Sequence, residues 1–170
     1  MLRLVTIVSP DFWPGFAALL QSITENGRVD SCRQVRWLVI CEPESAPRAW
    51  LASRVENIEL FPLADLPRVA VLSAQNQGKR MENALQKLSI FALPESLGTC
   101  VYLDSDMVCL NSIRSLEALS PISAAYDHLQ FSGDASPLPA GQFPEYNTGV
   151  LVFAPSRKIF EELTDTYRRR

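Results

Sequence analysis

Two aspartates at the end of an apolar run are the residues of this chain best suited to bind a cation. Residues 101–103 form the run, and Asp104-Ser105-Asp106 follows directly. Side chains on a strand repeat every two residues, so both carboxylates point to the same side wherever the extended geometry continues. Carboxylates suit Mg²⁺ or Mn²⁺, which keep positions for water and substrate phosphates. The spacing predicts a metal site for a phosphate-bearing ligand, with a solvated acidic turn as the alternative.

A basic residue precedes this strand on a segment with helical periodicity. The pattern predicts a helix over residues 79–93, stopped by Pro94. At 100° per residue, Arg80, Asn83 and Lys87 lie within about 60° of one another on its polar face. Such a face is either simply solvated or a contact for the same phosphate charge.

A third polar group, Asn147-Thr148-Gly149, stands at the entrance of an apolar strand predicted over residues 149–153. An amide, a hydroxyl and a position without a side chain suit a sugar, because Asn donates and accepts hydrogen bonds and Gly lets a ligand approach the main chain. The equal alternative is a turn in which Asn and Gly supply unusual backbone angles.

Two single residues could add contacts. Trp13 follows the first apolar run and either offers a flat surface to a base or simply packs. His128 is the only histidine of the chain, and we interpret it as a loop residue rather than a ligand or base.

The elements that would position these residues alternate between strands and helices. We predict strands over residues 2–8, 35–41, 58–63, 101–103, 122–126 and 149–153, and helices over 16–23, 46–55, 79–93 and from Ser156 onward. This alternation favours a mainly parallel α/β sheet flanked by helices, with ligands beyond the carboxyl ends of the strands. Residues 131–145 are rich in Gly, Pro, Ser and Ala and predict a long functional loop.

The composition fits one domain with no general electrostatic preference. The chain has 170 residues, of which 47% are hydrophobic, and a net charge of -3. This charge gives no general attraction to nucleic acid or anionic membranes, so local groups must hold any phosphate. No apolar run approaches the roughly 18 residues of a membrane span, and the N-terminal run is interpreted as a strand, not a signal peptide. Four cysteines without a C-x-x-C pair are typical of a reduced, cytoplasmic protein.

In order along the chain, these motifs resemble glycosyltransferase family 8, which contains glycogenin and bacterial lipopolysaccharide galactosyl- and glucosyltransferases. The matching segments are Val5-Thr6-Ile7, Gln86-Lys87-Leu88, residues 101–108, Ala124-Ala125-Tyr126-Asp127, Tyr146-Asn147-Thr148-Gly149-Val150 and Phe153-Ala154-Pro155-Ser156. The resemblance covers essentially the whole chain.

The resemblance implies a GT-A (Rossmann-like) fold and a retaining hexosyltransferase that uses a UDP-sugar donor, Mn²⁺ or Mg²⁺, and a saccharide, lipid-linked or protein acceptor. Asp104 would contact the metal and the ribose or sugar, Asp106 the metal, and Lys87 the phosphate and donor sugar. Asn147 and Thr148 would contact sugar hydroxyls. The implied catalytic residues are Lys87, Asp104, Asp106 and Asn147. The implied nucleotide-sugar site consists of Ile7, Ser9, Trp13, Arg80, Asn83, Lys87, Asp104, Ser105, Asn147, Thr148 and Gly149.

The family also has an Asp-Gln segment and a His-x-x-Gly-x-x-Lys segment downstream of the region that matches this chain. We therefore expect one GT-A-like domain over residues 1–170 that is C-terminally incomplete relative to the family, with a third metal ligand and a phosphate-binding lysine missing. A non-catalytic module that binds a nucleotide-sugar or a partner is the alternative.

A second enzyme class also fits the two aspartates. Residues 104–108 match the D-x-D-x-[TV] motif of haloacid-dehalogenase-like phosphatases literally. That motif normally opens its domain and requires a later lysine and an acidic pair, whereas here the one later lysine is Lys158 and later aspartates such as Asp134 and Asp165 are scattered. We therefore place this class behind the glycosyltransferase interpretation.

Overall fold

A six-stranded sheet lies at the centre of the computed structural model, which describes residues 1–29, 34–69, 85–126 and 146–168. The strands are β1 (Leu2–Val8), β2 (Val35–Cys41), β3 (Ile58–Pro62), β4 (Cys100–Leu103), β5 (Ser123–Tyr126) and β6 (Tyr146–Phe153). The α-helices of the described residues are α1 (Trp13–Asn26), α2 (Arg48–Arg54) and α3 (Arg157–Arg168). Short 3₁₀ helices occupy Pro10–Phe12, Leu63–Asp65, Lys87–Ala92, Glu95–Leu97 and Arg114–Ala118.

The strand order is β3-β2-β1-β4-β6-β5. β1 pairs in parallel with β2 along its whole length and with β4 on its other side, and β2 pairs in parallel with β3. β6 is antiparallel to both of its neighbours, β4 and β5. The predicted mainly parallel sheet is therefore confirmed, with β6 as the one reversed strand of those described. The edge where β1 and β4 end is also the edge where β6 begins, and we call it the carboxyl edge.

Neighbouring residues of a strand point to opposite faces of the sheet, so its apolar side chains lie on both faces. A cluster of packed apolar residues covers each face. On β1, Leu4 belongs to the apolar cluster beneath α1, whereas Val5 belongs to the cluster beneath α3 and the 3₁₀ helix Lys87–Ala92. The first cluster also contains Phe16, Leu19, Leu20, Ile23 and Trp37, and the second contains Ile90, Phe91, Phe153 and Phe160. The spacing of the buried α1 residues is that of an amphipathic helix.

The helix predicted over residues 79–93 differs from the structure where the structure describes it. Residues 85 and 86 are α-helical, but Lys87–Ala92 form a 3₁₀ helix. The Leu93 N–H donates to the Ile90 carbonyl at 3.2 Å and ends the segment just before Pro94. Arg80, Asn83 and the loop predicted over 131–145 lie outside the described residues.

The other predicted boundaries hold within a few residues. α1 begins three residues before the predicted start, because Pro14 is tolerated in the first turn of a helix. α3 follows Ser156, whose hydroxyl caps the helix by accepting a 3.4 Å hydrogen bond from the Ile159 N–H. Among the helices in the described part of the chain, none has the length and apolar character that a membrane crossing requires.

Candidate functional site

The first aspartate lies where β4 leaves the sheet. The Asp104 N–H donates to the Gly149 carbonyl at 2.9 Å, which extends the pairing with β6 by one residue. The Asp104 carbonyl then accepts a 3.3 Å hydrogen bond from the Met107 N–H and closes a turn. Asp104 is half-buried, Ser105 is buried and Asp106 is exposed. The extended geometry assumed for the two aspartates therefore stops before Asp106, and the turn sets their relative orientation instead.

Lys87 and Asp104 form an ion pair, a contact that the sequence analysis did not predict. Lys87 Nζ lies 2.7 Å from both carboxylate oxygens of Asp104. Both side chains are only about a quarter exposed, at 26% and 27%. Water screens such a pair less than a pair on the open surface, so its attraction is stronger.

Tyr102 is a site residue that the sequence analysis missed. Its side chain is 2% exposed, and its hydroxyl donates to Asp104 Oδ1 at 2.8 Å. Burial raises the pKa of the Tyr102 phenol above its usual range, and the charges of Asp104 and Asp106 raise it further. The phenol is therefore a neutral donor. The two-residue spacing between Tyr102 and Asp104 was the available signal, because it places both side chains on one side of β4.

The reversed direction of β6 brings Asn147, Thr148 and Gly149 to the carboxyl edge. The Gly149 N–H donates to Asn147 Oδ1 at 2.7 Å, and a Cβ at position 149 would lie 3.3 Å from Asp104 Oδ2. Asn147 and Asp104 thus both approach the space that a side chain at Gly149 would occupy. Asn147 and Thr148 are both exposed at this edge.

The alternative of unusual backbone angles at Asn147 and Gly149 is wrong. Among the described residues, positive φ angles occur at Arg28 and Gly98. Gly149 lies within β6, where a side chain would collide with the Asn147 amide at 2.9 Å. Glycine at this position therefore provides space rather than a special backbone conformation.

Trp13 packs at the start of α1. Its indole N–H donates to Ser45 Oγ at 3.2 Å, and its ring stands edge-on to Phe16 at 5.9 Å between centroids. A Cβ on Gly15, two residues further, would lie 2.9 Å from the Ser105 carbonyl, so the first turn of α1 contacts the aspartate turn. The structure favours the packing interpretation of Trp13 while placing it on the helix that contacts the site.

Ile7 and Ser9 lie at the end of β1, next to β4 in the sheet. Both are partly exposed at the carboxyl edge. In the described part of the chain, no hydrogen bond joins either residue to Asp104. Their predicted contact with a nucleotide stays a prediction.

The residues of the site are chemically suited to a divalent cation that also binds phosphate. Asp104 and Asp106 supply two carboxylates, and both charges act on the same Tyr102 hydroxyl. Two carboxylates at an accessible edge match the usual Mg²⁺ or Mn²⁺ arrangement, in which water and phosphate complete the ligands. Within residues 1–29, 34–69, 85–126 and 146–168, no group of three or more His, Cys, Asp or Glu side chains could hold a metal. The predicted metal thus has two candidate protein ligands here.

A cavity of about 460 Å³ adjoins the polar residues on the α3 face of the sheet. Lys87, Tyr102 and Thr148 contribute to its lining, and its other described lining residues are all apolar. This cavity was not predicted, because its walls come from segments that are distant in the sequence.

The chain is similar to known proteins in its three-dimensional structure, but the comparisons of its sequence find no match. No protein-family model and no curated protein matches the chain. Galactosyltransferase LgtC, solved in complex with donor and acceptor sugar analogues, has a TM-score of 0.66 and 15% sequence identity, covering 99% of this chain and 66% of that one. The LgtC active-site mutant Q189E has a TM-score of 0.63 and 15% identity, covering 99% of this chain and 60% of that one. Mouse xyloside xylosyltransferase 1, in its apo form, has a TM-score of 0.59 and 16% identity, covering 98% of this chain and 76% of that one.

These likenesses establish the fold. The chain has an α/β fold of the GT-A type, as predicted, and spans 60% to 66% of the length of the LgtC chains. A shared fold alone does not define a reaction, because unrelated activities occur on the same architecture.

Proposed function

We propose that this domain is a glycosyltransferase of the family 8 type that moves a hexose from a UDP-sugar to a saccharide, lipid-linked or protein acceptor with retention at the anomeric carbon. The observation that supports this most strongly is the meeting of Asp104 and Asn147 at Gly149, with Lys87 paired to Asp104, at the carboxyl edge of a GT-A sheet. Cationic, carboxylate and amide groups are the set that a nucleotide diphosphate-sugar requires.

Each group has a role that follows from its chemistry and position. Asp104 and Asp106 would hold Mn²⁺ or Mg²⁺, and the bound metal would supply electrostatic stabilisation of the departing diphosphate. Lys87 adds a second positive charge beside the same carboxylate. Asn147 and Thr148 are exposed at this edge, where their amide and hydroxyl can orient sugar hydroxyls. Because Asp104 directly follows β4 and Asn147 lies on β6, the pairing of these two strands holds both residues in place before a ligand arrives.

Two other functions are weaker. A nucleotide-sugar-binding module without transfer activity is favoured by the finding of two, rather than three, candidate metal carboxylates among the described residues. A haloacid-dehalogenase-like phosphatase is disfavoured, because its motif opens the domain whereas Asp104 follows the fourth strand. The GT-A type of fold also argues against it.

Isothermal titration of UDP in the presence of Mn²⁺ tests the proposal. We expect binding by the wild type and at least about tenfold weaker binding by Asp106→Ala, since a metal ligand is lost. Asp106 is exposed, so this substitution should leave the fold intact. Asp65→Ala is the matched control, because Asp65 is an exposed aspartate following β3, away from β4.

Four results would overturn parts of the proposal. Absence of UDP binding by the wild type contradicts the nucleotide assignment, and unchanged binding by Asp106→Ala contradicts the metal assignment. UDP binding without hydrolysis or transfer of any UDP-hexose supports the binding module. Turnover of para-nitrophenyl phosphate that Asp104→Asn abolishes supports the phosphatase.

A further inference from the structure

Tyr102 contacts the site from inside the core. It lies on β4 between Val5 of β1 and Leu151 of β6, and its side chain belongs to the buried cluster beneath α3. Paired strands on both sides fix the backbone of Tyr102, and core packing fixes its ring. The hydroxyl therefore has a defined position at the buried side of the carboxyl edge.

The same side chain contacts both charged groups of the site. Its hydroxyl donates to Asp104 Oδ1 at 2.8 Å, and the Lys87 ammonium lies 5.6 Å from the centre of its ring. The Lys87 ammonium in turn lies 2.7 Å from the Asp104 carboxylate. Tyr102 is thus the buried member of a three-residue network whose other members are partly exposed.

Rotation of an aspartate carboxylate about χ2 is broad and has only a weak two-fold preference. A charge-assisted hydrogen bond from a rigid donor removes this freedom and selects one orientation. An ammonium placed over an aromatic face is also attracted to that face. Side chains that are already oriented before binding lose less conformational entropy when a ligand binds.

We propose that Tyr102 is a positioning residue of this site, whose hydroxyl sets the orientation of the Asp104 carboxylate and whose ring face holds the Lys87 ammonium. Tyr102 itself contacts no ligand in this proposal. The inference rests on the proposed function for the identity of that ligand, and on the contacts of Tyr102 for the positioning itself.

The first test needs no ligand. Tyr102→Phe keeps the ring and removes only the hydroxyl, so the core stays filled. A double-mutant cycle of Tyr102→Phe with Asp104→Ala, followed by urea unfolding, should show coupling of at least about tenfold in the unfolding equilibrium constant. Additive effects would overturn the proposal, because the hydroxyl would then act independently of Asp104.

The second test measures UDP affinity in the presence of Mn²⁺, at a temperature where every variant is fully folded. We expect Tyr102→Phe to weaken UDP binding about tenfold. Tyr167→Phe is the matched control, because Tyr167 packs against the same apolar cluster from α3 and lies outside the site, and its affinity should equal that of the wild type. A merely structural role of Tyr102 would lower stability without changing affinity.

The two tests separate the failure of this inference from the failure of the proposed function. If the wild type binds UDP and Tyr102→Phe binds it equally well, the positioning role is overturned. If the wild type binds no UDP, the proposed function fails, and the unfolding cycle alone decides whether Tyr102 positions Asp104.

Discussion

Replacing Gly149 by alanine should damage the site far more than the fold. A Cβ at this position would lie 2.9 Å from Asn147 Oδ1, 3.3 Å from Asp104 Oδ2 and 3.5 Å from Met107 Sδ. The first distance is shorter than a methyl group tolerates. Asn147 is exposed, so its side chain can rotate away. That movement breaks the 2.7 Å hydrogen bond from the Gly149 N–H to Asn147.

The expected magnitudes follow from these contacts. Losing one hydrogen bond lowers the unfolding free energy by about 0.5–1.5 kcal/mol. Alanine in a strand recovers about 0.5–1 kcal/mol relative to glycine, because the unfolded chain has less freedom to lose. The net change in stability should therefore be below about 1 kcal/mol. Displacement of the Asn147 amide and crowding of Asp104 should instead lower UDP affinity or transfer rate about 100-fold, the scale of an error of about 1 Å in a site.

Gly98 provides the matched control. It precedes β4 at the edge of the sheet opposite the site and has φ 64° and ψ -147°, a region used almost only by glycine. Gly98→Ala should lower the unfolding free energy by about 1–3 kcal/mol and leave UDP affinity unchanged. Urea denaturation and isothermal titration of both variants give the comparison. If Gly149→Ala keeps UDP affinity within about threefold of the wild type, or fails to fold, the crowding argument is refuted.

Two further predictions concern buried groups outside the site. The hydroxyl of Thr6 is fully buried and has no hydrogen-bond partner among the described residues, so Thr6→Val should raise the unfolding free energy by about 1 kcal/mol in urea denaturation; a destabilised variant would reveal a missed partner. Burial raises the pKa of the Cys100 thiol to about 11 from 9.0, so the unfolded chain loses this proton first as pH rises. The stability that Cys100 contributes is therefore full below pH 9 and lost towards pH 11, and the drop in unfolding free energy over that range should be smaller in Cys100→Ala; equal drops would contradict this assignment.

The sequence was sufficient for features that depend on local patterns. The nearly continuous apolar runs predicted β1 and β2 with their observed bounds, since a strand buried on both faces is mostly apolar. Residue types also identified Lys87, Asp104 and Asn147 as candidate site residues, and the structure brings them together. Their roles towards UDP and a metal stay predictions.

Other features depend on contacts that no local pattern contains. The turn closed by Met107 ends the extended geometry before Asp106, although the spacing of the aspartates fits a strand equally well. The hydrogen bond from Tyr102 to Asp104 is local in sequence. The fixed position of the Tyr102 hydroxyl, however, depends on burial of this residue between β1 and β6. Glycine at position 149 leaves space for Asn147 and Asp104, whereas the sequence left ligand approach and unusual backbone angles as equal interpretations.

The sequence by itself therefore determined which segments are strands and which side chains have the chemistry of a phosphate and sugar site. Only the tertiary structure decided that Asn147 meets Asp104, because this meeting requires β6 to run antiparallel to β4. A parallel β6 would begin at the opposite edge of the sheet and carry Asn147 away from the aspartates. An apolar strand pattern is the same in either direction, so strand direction is fixed only when the chain returns and pairs with its neighbours.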